Sequence, residues 1–209
     1  MGREDGDEYE KPPHLVEVKS YYLDRTEVTN EQYKLFVEAA GHRVPQHWRG
    51  NLPPTGEEKF PVVNVTWDDA VAYAAWVNKR LPTEEEWEFA ARSEKSLLYA
   101  WGALWEPSIA NTKDLTGGAG TLLPVISQAL TKDTSTFGVI AMSGNVSEWT
   151  SSDATLYPGN PNAIEKGLKI ARGGNYGNAK TASAATTRLL NPANFKDTHF
   201  GFRVAMDKN

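Results

Sequence analysis

An α+β domain is what this sequence predicts, and three observations predict it. Helix signals crowd into residues 29–92, while short strand signals and glycine-rich turns fill most of the rest. Seven Trp, eight Tyr and seven Phe among 209 residues supply enough large apolar area for one packed core. The sequence has no cysteine, which excludes disulfides, thiolate metal sites and cysteine nucleophiles together.

Taken in order, residues 1–13 are acidic, end in Pro12-Pro13, and read as a solvated lead-in to a single domain over 14–209. His14-Leu15-Val16-Glu17-Val18 alternates as a first strand, and Tyr21-Tyr22-Leu23-Asp24 is a second strand or its continuation. Thr29-Asn30-Glu31-Gln32 has the form of a capping box; Tyr33, Phe36, Val37 and Ala40 come next at helical spacing before Gly41 closes the segment. Residues 42–60 read as a loop. Its His42 and His47 have no carboxylate at ligand spacing, so they are not read as a metal site.

Phe60-Pro61-Val62-Val63-Asn64-Val65 is an extended apolar segment, and Thr66-Trp67-Asp68-Asp69 caps a second helix with Tyr73, Trp76 and Val77 on one side. Thr83-Glu84-Glu85-Glu86 is a further capping box. The helix it opens carries Trp87, Ala90 and Ala91, and its three carboxylates read as complements to the positive helix end. After Arg92 the helical pattern stops. Near the end, Arg172-Gly173-Gly174-Asn175-Tyr176 and Phe200-Gly201-Phe202-Arg203-Val204 are strand signals. Between them, Gly177 to His199 shows neither period and reads as a long loop pinned at both ends, the kind of segment where binding concentrates.

A net charge of −5 argues against nucleic acid or an anionic membrane surface as partner. No apolar run approaches the roughly 20 residues of a membrane span, and Met1 to Lys11 has no signal-peptide core, so a soluble chain is expected. Serine-hydrolase elbows, zinc-binding His-Glu-x-x-His and phosphate-binding loops are all missing from the sequence.

Six phrases stand together in order: Glu27-Val28-Thr29-Asn30-Glu31-Gln32-Tyr33, Pro61 to Trp67, Arg80-Leu81-Pro82-Thr83-Glu84-Glu85-Glu86-Trp87-Glu88, Gly144-Asn145-Val146-Ser147-Glu148-Trp149, Arg172 to Tyr176 and Gly201-Phe202-Arg203. Together they closely resemble the signature of the formylglycine-generating enzyme, or sulfatase-modifying factor, family across nearly the whole chain. The resemblance implies a C-type-lectin-like fold, with helices around a small twisted antiparallel sheet. The family includes oxidases of sulfatase cysteines, domains attached to bacterial serine/threonine kinases, and binding proteins diversified by retroelements, so membership alone does not assign function.

In the oxidases the resemblance places a copper-holding cysteine pair a few residues after the Gly-Gly-x-Tyr phrase, within Asn178 to Ser183 of this sequence, where no sulfur exists. Copper(I) chemistry needs such ligands, so no copper and no formylglycine formation are expected. The same resemblance implies calcium ligation by the carbonyls of Gly144 and Val146 and by the Glu148 side chain, with an oxygen ligand at a fourth position that is Ala141 here. A second site would use Asn111 and the Thr112 carbonyl with Asp114. The loss at Ala141 weighs against calcium, a hard ion that favours 6–8 oxygens.

The expectation is therefore a non-catalytic module that recognises a protein or small ligand on its C-terminal loop face: Asn175, Tyr176, Asn178, Ser183, Arg188, Asn191, Asn194, Phe195 and His199. Within that class a sensor or docking domain of a kinase-type protein competes with a retroelement-diversified binding protein. The enzyme alternative is an oxidase without cysteines. Residue by residue, plainer roles compete as well: Asn191 and Asn194 as turn formers, Arg188 as the partner of a buried carboxylate, and Glu148 as an acceptor for loop amides.

Overall fold

Three threonines start the three longest helices. Thr29, Thr66 and Thr83 hold extended backbone and accept from the N–H groups of Gln32, Asp69 and Glu86, whose side chains return the bond to the cap N–H. They open α1 (Asn30–Ala40), α2 (Trp67–Trp76) and α3 (Glu84–Arg92), and Gly41 closes α1 in the left-handed region at φ 64°. The computed structural model describes residues 1–208. It also contains a one-turn helix α4 (Lys113–Thr116) and six strands: β1 (Tyr21–Leu23), β2 (Ser147–Asp153), β3 (Leu168–Arg172), β4 (Arg188–Pro192), β5 (Phe200–Gly201) and β6 (Ala205–Asp207).

Strands β4-β3-β2-β5 form the main sheet, antiparallel except for the β2–β5 pair, and β1 pairs with β6 in a separate antiparallel ribbon. Register decides what each sheet face carries. Trp149, Ala171 and Leu189 lie opposite one another across β2, β3 and β4, and join Tyr33, Phe36 and Val37 of α1 and Tyr73 of α2 in the main apolar core. Tyr33 and Tyr73 stack there with ring centroids 5.7 Å apart. One residue along, Glu148, Arg172 and Arg188 form the matching row on the other face.

Helix α3 lies across that charged row and neutralises it. Glu84 accepts from Arg188 Nε at 2.6 Å and Nη2 at 2.9 Å, and from Arg172 Nη1 at 3.2 Å; Glu88 pairs with Arg172 and, at 2.6 Å, with Arg92. Trp87 Nε1 donates to Glu148 at 2.8 Å, and Glu148 also takes Arg203 Nε at 2.6 Å and Nη2 at 2.7 Å. Arg172, Arg203 and Glu148 are completely buried. These groups hold charge in the interior because each is paired and hydrogen-bonded.

Several sequence expectations change here. Glu84 and Glu86 do more than complement the helix end: Glu84 is an interior ion-pair partner, and Glu86 binds Arg80 twice at 2.7 Å. Residues 14–18 form no strand, because β1 pairs with β6 and no strand pairs with the alternating segment, and Leu15 is fully exposed. The stretch Gly177 to His199 is not one loop, since β4 runs through it as the outer strand of the main sheet. Arg188 is buried, Leu189, Leu190 and Asn191 are all half-buried and Pro192 is exposed, so Arg188-Leu189-Leu190-Asn191-Pro192 has no alternating pattern to read.

The acidic lead-in is part of the fold as well. Gly2 N–H donates to Glu88 Oε1 at 2.9 Å, Arg92 Nη1 to the Gly2 carbonyl at 2.9 Å, Arg188 Nη1 to the Tyr9 carbonyl at 2.9 Å, and Thr186 Oγ1 to the buried Glu10 at 2.7 Å. Residues 1–13 thus strap the ion-pair layer instead of trailing in solvent.

Two further carboxylates, Glu27 and Asp133, are buried with no ion pair among the described residues. Burial pushes Glu27 up to about 7, against the pull of Arg203, and burial likewise pushes Asp133 up to about 7. Removing the Glu84 charge leaves Arg188 without a carboxylate and Arg172 with Glu88 alone, so Glu84→Gln is expected to cost about 3–5 kcal/mol in denaturant unfolding, against about 1 kcal/mol for the cap variant Thr83→Ala. Protons bound by Glu27 and Asp133 in the folded chain and released on unfolding make stability fall as pH rises from about 5 to about 8. Burial lowers His47 and opposes this with one proton against two. With EDTA present, urea midpoints are therefore expected to be higher at pH 5.5 than at pH 8, and this difference shrinks in Glu27→Gln/Asp133→Asn.

Candidate functional site

A groove of about 530 Å³ runs beside β4. Its apolar wall comes from Leu168 at the start of β3, Leu189 and Leu190 of β4, Ile164, and the rings of Phe195 and Phe200; Asn175, Asn178, Asn191 and Glu165 bring polar groups to it. Tyr9 of the N-terminal strap also borders it. An apolar trough with a few placed amides is the ordinary make-up of a ligand cleft. A second cleft, between Met1, Val16 and α3, measures about 70 Å³, room for little more than water.

The groove gathers five of the nine residues expected on the binding face: Asn175, Asn178, Arg188, Asn191 and Phe195. Their availability differs. Asn175 Nδ2 donates to Ser147 Oγ at 3.0 Å and its Oδ1 accepts from Gly177 N–H at 3.0 Å, while Asn178 Oδ1 accepts from Asn175 N–H at 3.1 Å. These bonds fold the loop and leave the Asn178 amide nitrogen as the donor at the groove. Of the two readings of Arg188, the geometry matches the partner of a buried carboxylate: all three of its nitrogens donate, to Glu84, Tyr9 and Thr155, and its guanidinium lies 4.3 Å from the Tyr157 ring centroid. It is held in the wall as a structural tie and is not offered to a ligand.

Four residues fall elsewhere. Ser183 is fully buried, its hydroxyl 3.5 Å from the Ala179 carbonyl, and Asn194 is exposed outside the groove. Tyr176 and His199 stack on each other with centroids 4.5 Å apart. His199 Nδ1 bonds Asp197; burial would raise that carboxyl, but this bond outweighs it and holds Asp197 below the usual carboxylate range. The Asp-x-His spacing of residues 197–199 is thus a local pair that the scattered histidines do not advertise. The same holds for His42, whose Nε2 lies 2.8 Å from Asp69 Oδ1 through the fold. Glu165, Ile164 and Tyr9 are groove residues that sequence reasoning does not find. The polar, proline-bounded stretches that carry them give no periodic signal.

The implied calcium ligands do not fit a cation as they stand. Both Glu148 oxygens are taken by Arg203, one of them also by Trp87, so this carboxylate is neutralised by an ion pair and not by loop amides. Ala141 contributes no side-chain oxygen, and the Gly144 Cα packs so tightly that a Cβ there would lie 2.4 Å from the Asn111 carbonyl. Asn111 keeps its Oδ1 unpartnered, but Thr112 Oγ1 caps Asp114 N–H and Asp114 accepts from Lys180 N–H at 3.0 Å. Among the described residues no three His, Cys, Asp or Glu side chains gather in a metal-binding group, and no helix is long and apolar enough to cross a membrane.

Known proteins share both the sequence and the architecture. Serine/threonine-protein kinase Pkn1 of Chlamydia trachomatis is 33% identical over 99% of this chain, which spans 36% of the kinase. The inactive C-alpha-formylglycine-generating enzyme 2 of Bos taurus is 30% identical over 96% of the chain and 82% of its own length. Treponema denticola variable protein 1 shares the fold, with a TM-score of 0.76 at 20% identity over 98% of this chain and 90% of that one. The model of the sulfatase-modifying factor enzyme 1-like domain matches residues 1–208, and the chain belongs to that family.

Proposed function

We propose that this chain is a non-catalytic recognition module that takes a protein segment or small ligand in the groove beside β4. The observation that carries this reading is the state of the groove walls: Leu190, Phe195, Asn178 and Asn191 present partly accessible side chains, while the arginine of that wall, Arg188, is consumed by Glu84. Such walls offer contact area and a few hydrogen bonds, and the described residues that line them include no thiol and no histidine to serve as nucleophile or proton shuttle. The two positions where oxidases of the family carry cysteines fall within Asn178 to Ser183, and neither end of that stretch is a thiol.

A docking or sensing role beside a kinase is the context best supported, because the Chlamydia relative is named a serine/threonine-protein kinase and matches along nearly all of this chain. The bovine relative, named inactive, supports a scaffold that persists without catalysis. Likeness in fold to a variable protein adds only that the same architecture occurs in a protein of that name.

The test is a peptide and glycan array probed with the purified chain and with Leu190→Asp and Asn178→Arg variants. A discrete ligand set is expected for the native chain, weakened about tenfold or more by either variant. Binding that both variants leave intact would move the site off this groove. Incubation with a cysteine-containing sulfatase peptide and copper is expected to leave the peptide mass unchanged; conversion of its thiol to an aldehyde would establish the oxidase alternative.

A further inference from the structure

Behind the Glu148–Arg203 pair lies a set of oxygens that the fold leaves without partners. Glu27 Oε2, Asp133 Oδ1 and Ser143 Oγ are all buried from water, and none has a hydrogen-bond partner among the described residues. In native interiors such atoms are rare, and each costs roughly 1–3 kcal/mol. Their placement is not scattered. Ser143 N–H donates to Asp133 Oδ2 at 2.8 Å, and Asn145 Nδ2, two residues on, donates to Glu27 Oε1 at 2.8 Å. The turn 140–145 therefore runs between the two carboxylates and holds each by one oxygen, leaving the other oxygen of each free.

Charge is out of balance at the same place. Arg203 is the guanidinium felt by both Glu27 and Asp133, yet it is bonded to Glu148 and to the carbonyls of Asp24, Arg25 and Ile140. Three interior carboxylates thus face one arginine, with an excess of two negative charges when all are ionised. A serine hydroxyl with no partner sits beside Asp133. Two carboxylate oxygens and a hydroxyl, completed by main-chain oxygens or water, are the donor types a hard divalent ion takes.

The geometry points to a buried divalent-cation site held by Glu27, Asp133 and Ser143, distinct from the ligand set implied at Gly144, Val146 and Glu148. At Ala141, inside the intervening turn, φ is 59°, a left-handed conformation that costs an alanine energy and that the turn keeps without using its side chain. The positive charge sits between the two carboxylates that Arg203 does not bond. A bound ion gives these buried, unpartnered oxygens a ligand that the protein itself does not supply.

The experiment is thermal unfolding of the full chain after EDTA treatment, with and without millimolar CaCl2 or MgCl2, alongside calorimetric titration with CaCl2. Saturating cation is expected to raise Tm by about 5 °C or more in the native chain, with one ion bound per chain. Glu27→Gln and Asp133→Asn are expected to abolish the response. Ser143→Ala, which removes only a hydroxyl, keeps the fold testable if those variants unfold, and is expected to weaken cation binding severalfold. No Tm shift in the native chain, or a shift unchanged in Ser143→Ala and in whichever carboxylate variants fold, would overturn the site.

Discussion

Interior guanidinium–carboxylate pairing is the constraint on which the rest of this structure depends. The main sheet presents Glu148, Arg172 and Arg188 in one row, a face that would be intolerable against an apolar helix. Helix α3 answers with Glu84 and Glu88, one turn apart, and with the indole N–H of Trp87 between them. The pairs stabilise the fold less by net energy than by exclusion: a helix shifted by one residue leaves charges unpaired in the interior, a loss of several kcal/mol. The register of α3 on the sheet is therefore set by charge, while α1 and α2 on the opposite face are set by aromatic packing.

The same layer explains why long irregular segments can be held in place. Arg92, Arg188 and Arg203 spend donors on main-chain carbonyls of Gly2, Tyr9, Thr155, Asp24 and Ile140, so one side chain fixes two or three distant stretches of chain. Loops tied in this way need no ladder of their own. The groove beside β4 draws on both: strands β3, β4 and β5 supply part of its wall, and Arg188 ties the Tyr9 segment to the rest.

How much of this was legible in the sequence depends on how local each signal is. Capping boxes at Thr29, Thr66 and Thr83 lie within four residues, and all three helices begin where those boxes predict. Strand β4 is hidden because its buried first residue is an arginine and the next three are all half-buried, so no apolar alternation marks it, and the strap over residues 1–13 because its anchors, Thr186 and Arg188, lie more than 170 residues away. Arg188 illustrates the limit for the site: the sequence offers it both as a ligand contact and as the partner of a buried carboxylate, and only the fold supplies that carboxylate, from a helix 104 residues earlier. His199 and Tyr176 face each other across the stretch that sequence reasoning marks for binding, yet they stack together outside the groove walls.

The N-terminal strap and the groove have a wall in common. Tyr9 borders the trough while its carbonyl accepts from Arg188, and that arginine reaches Glu84 in α3 with its other nitrogens. Peeling the strap away would wet the interior charges and dismantle one bank of the trough in a single motion. Anything seated against Tyr9 therefore touches the same segment whose carbonyl is tied to Arg188 and, through it, to helix α3.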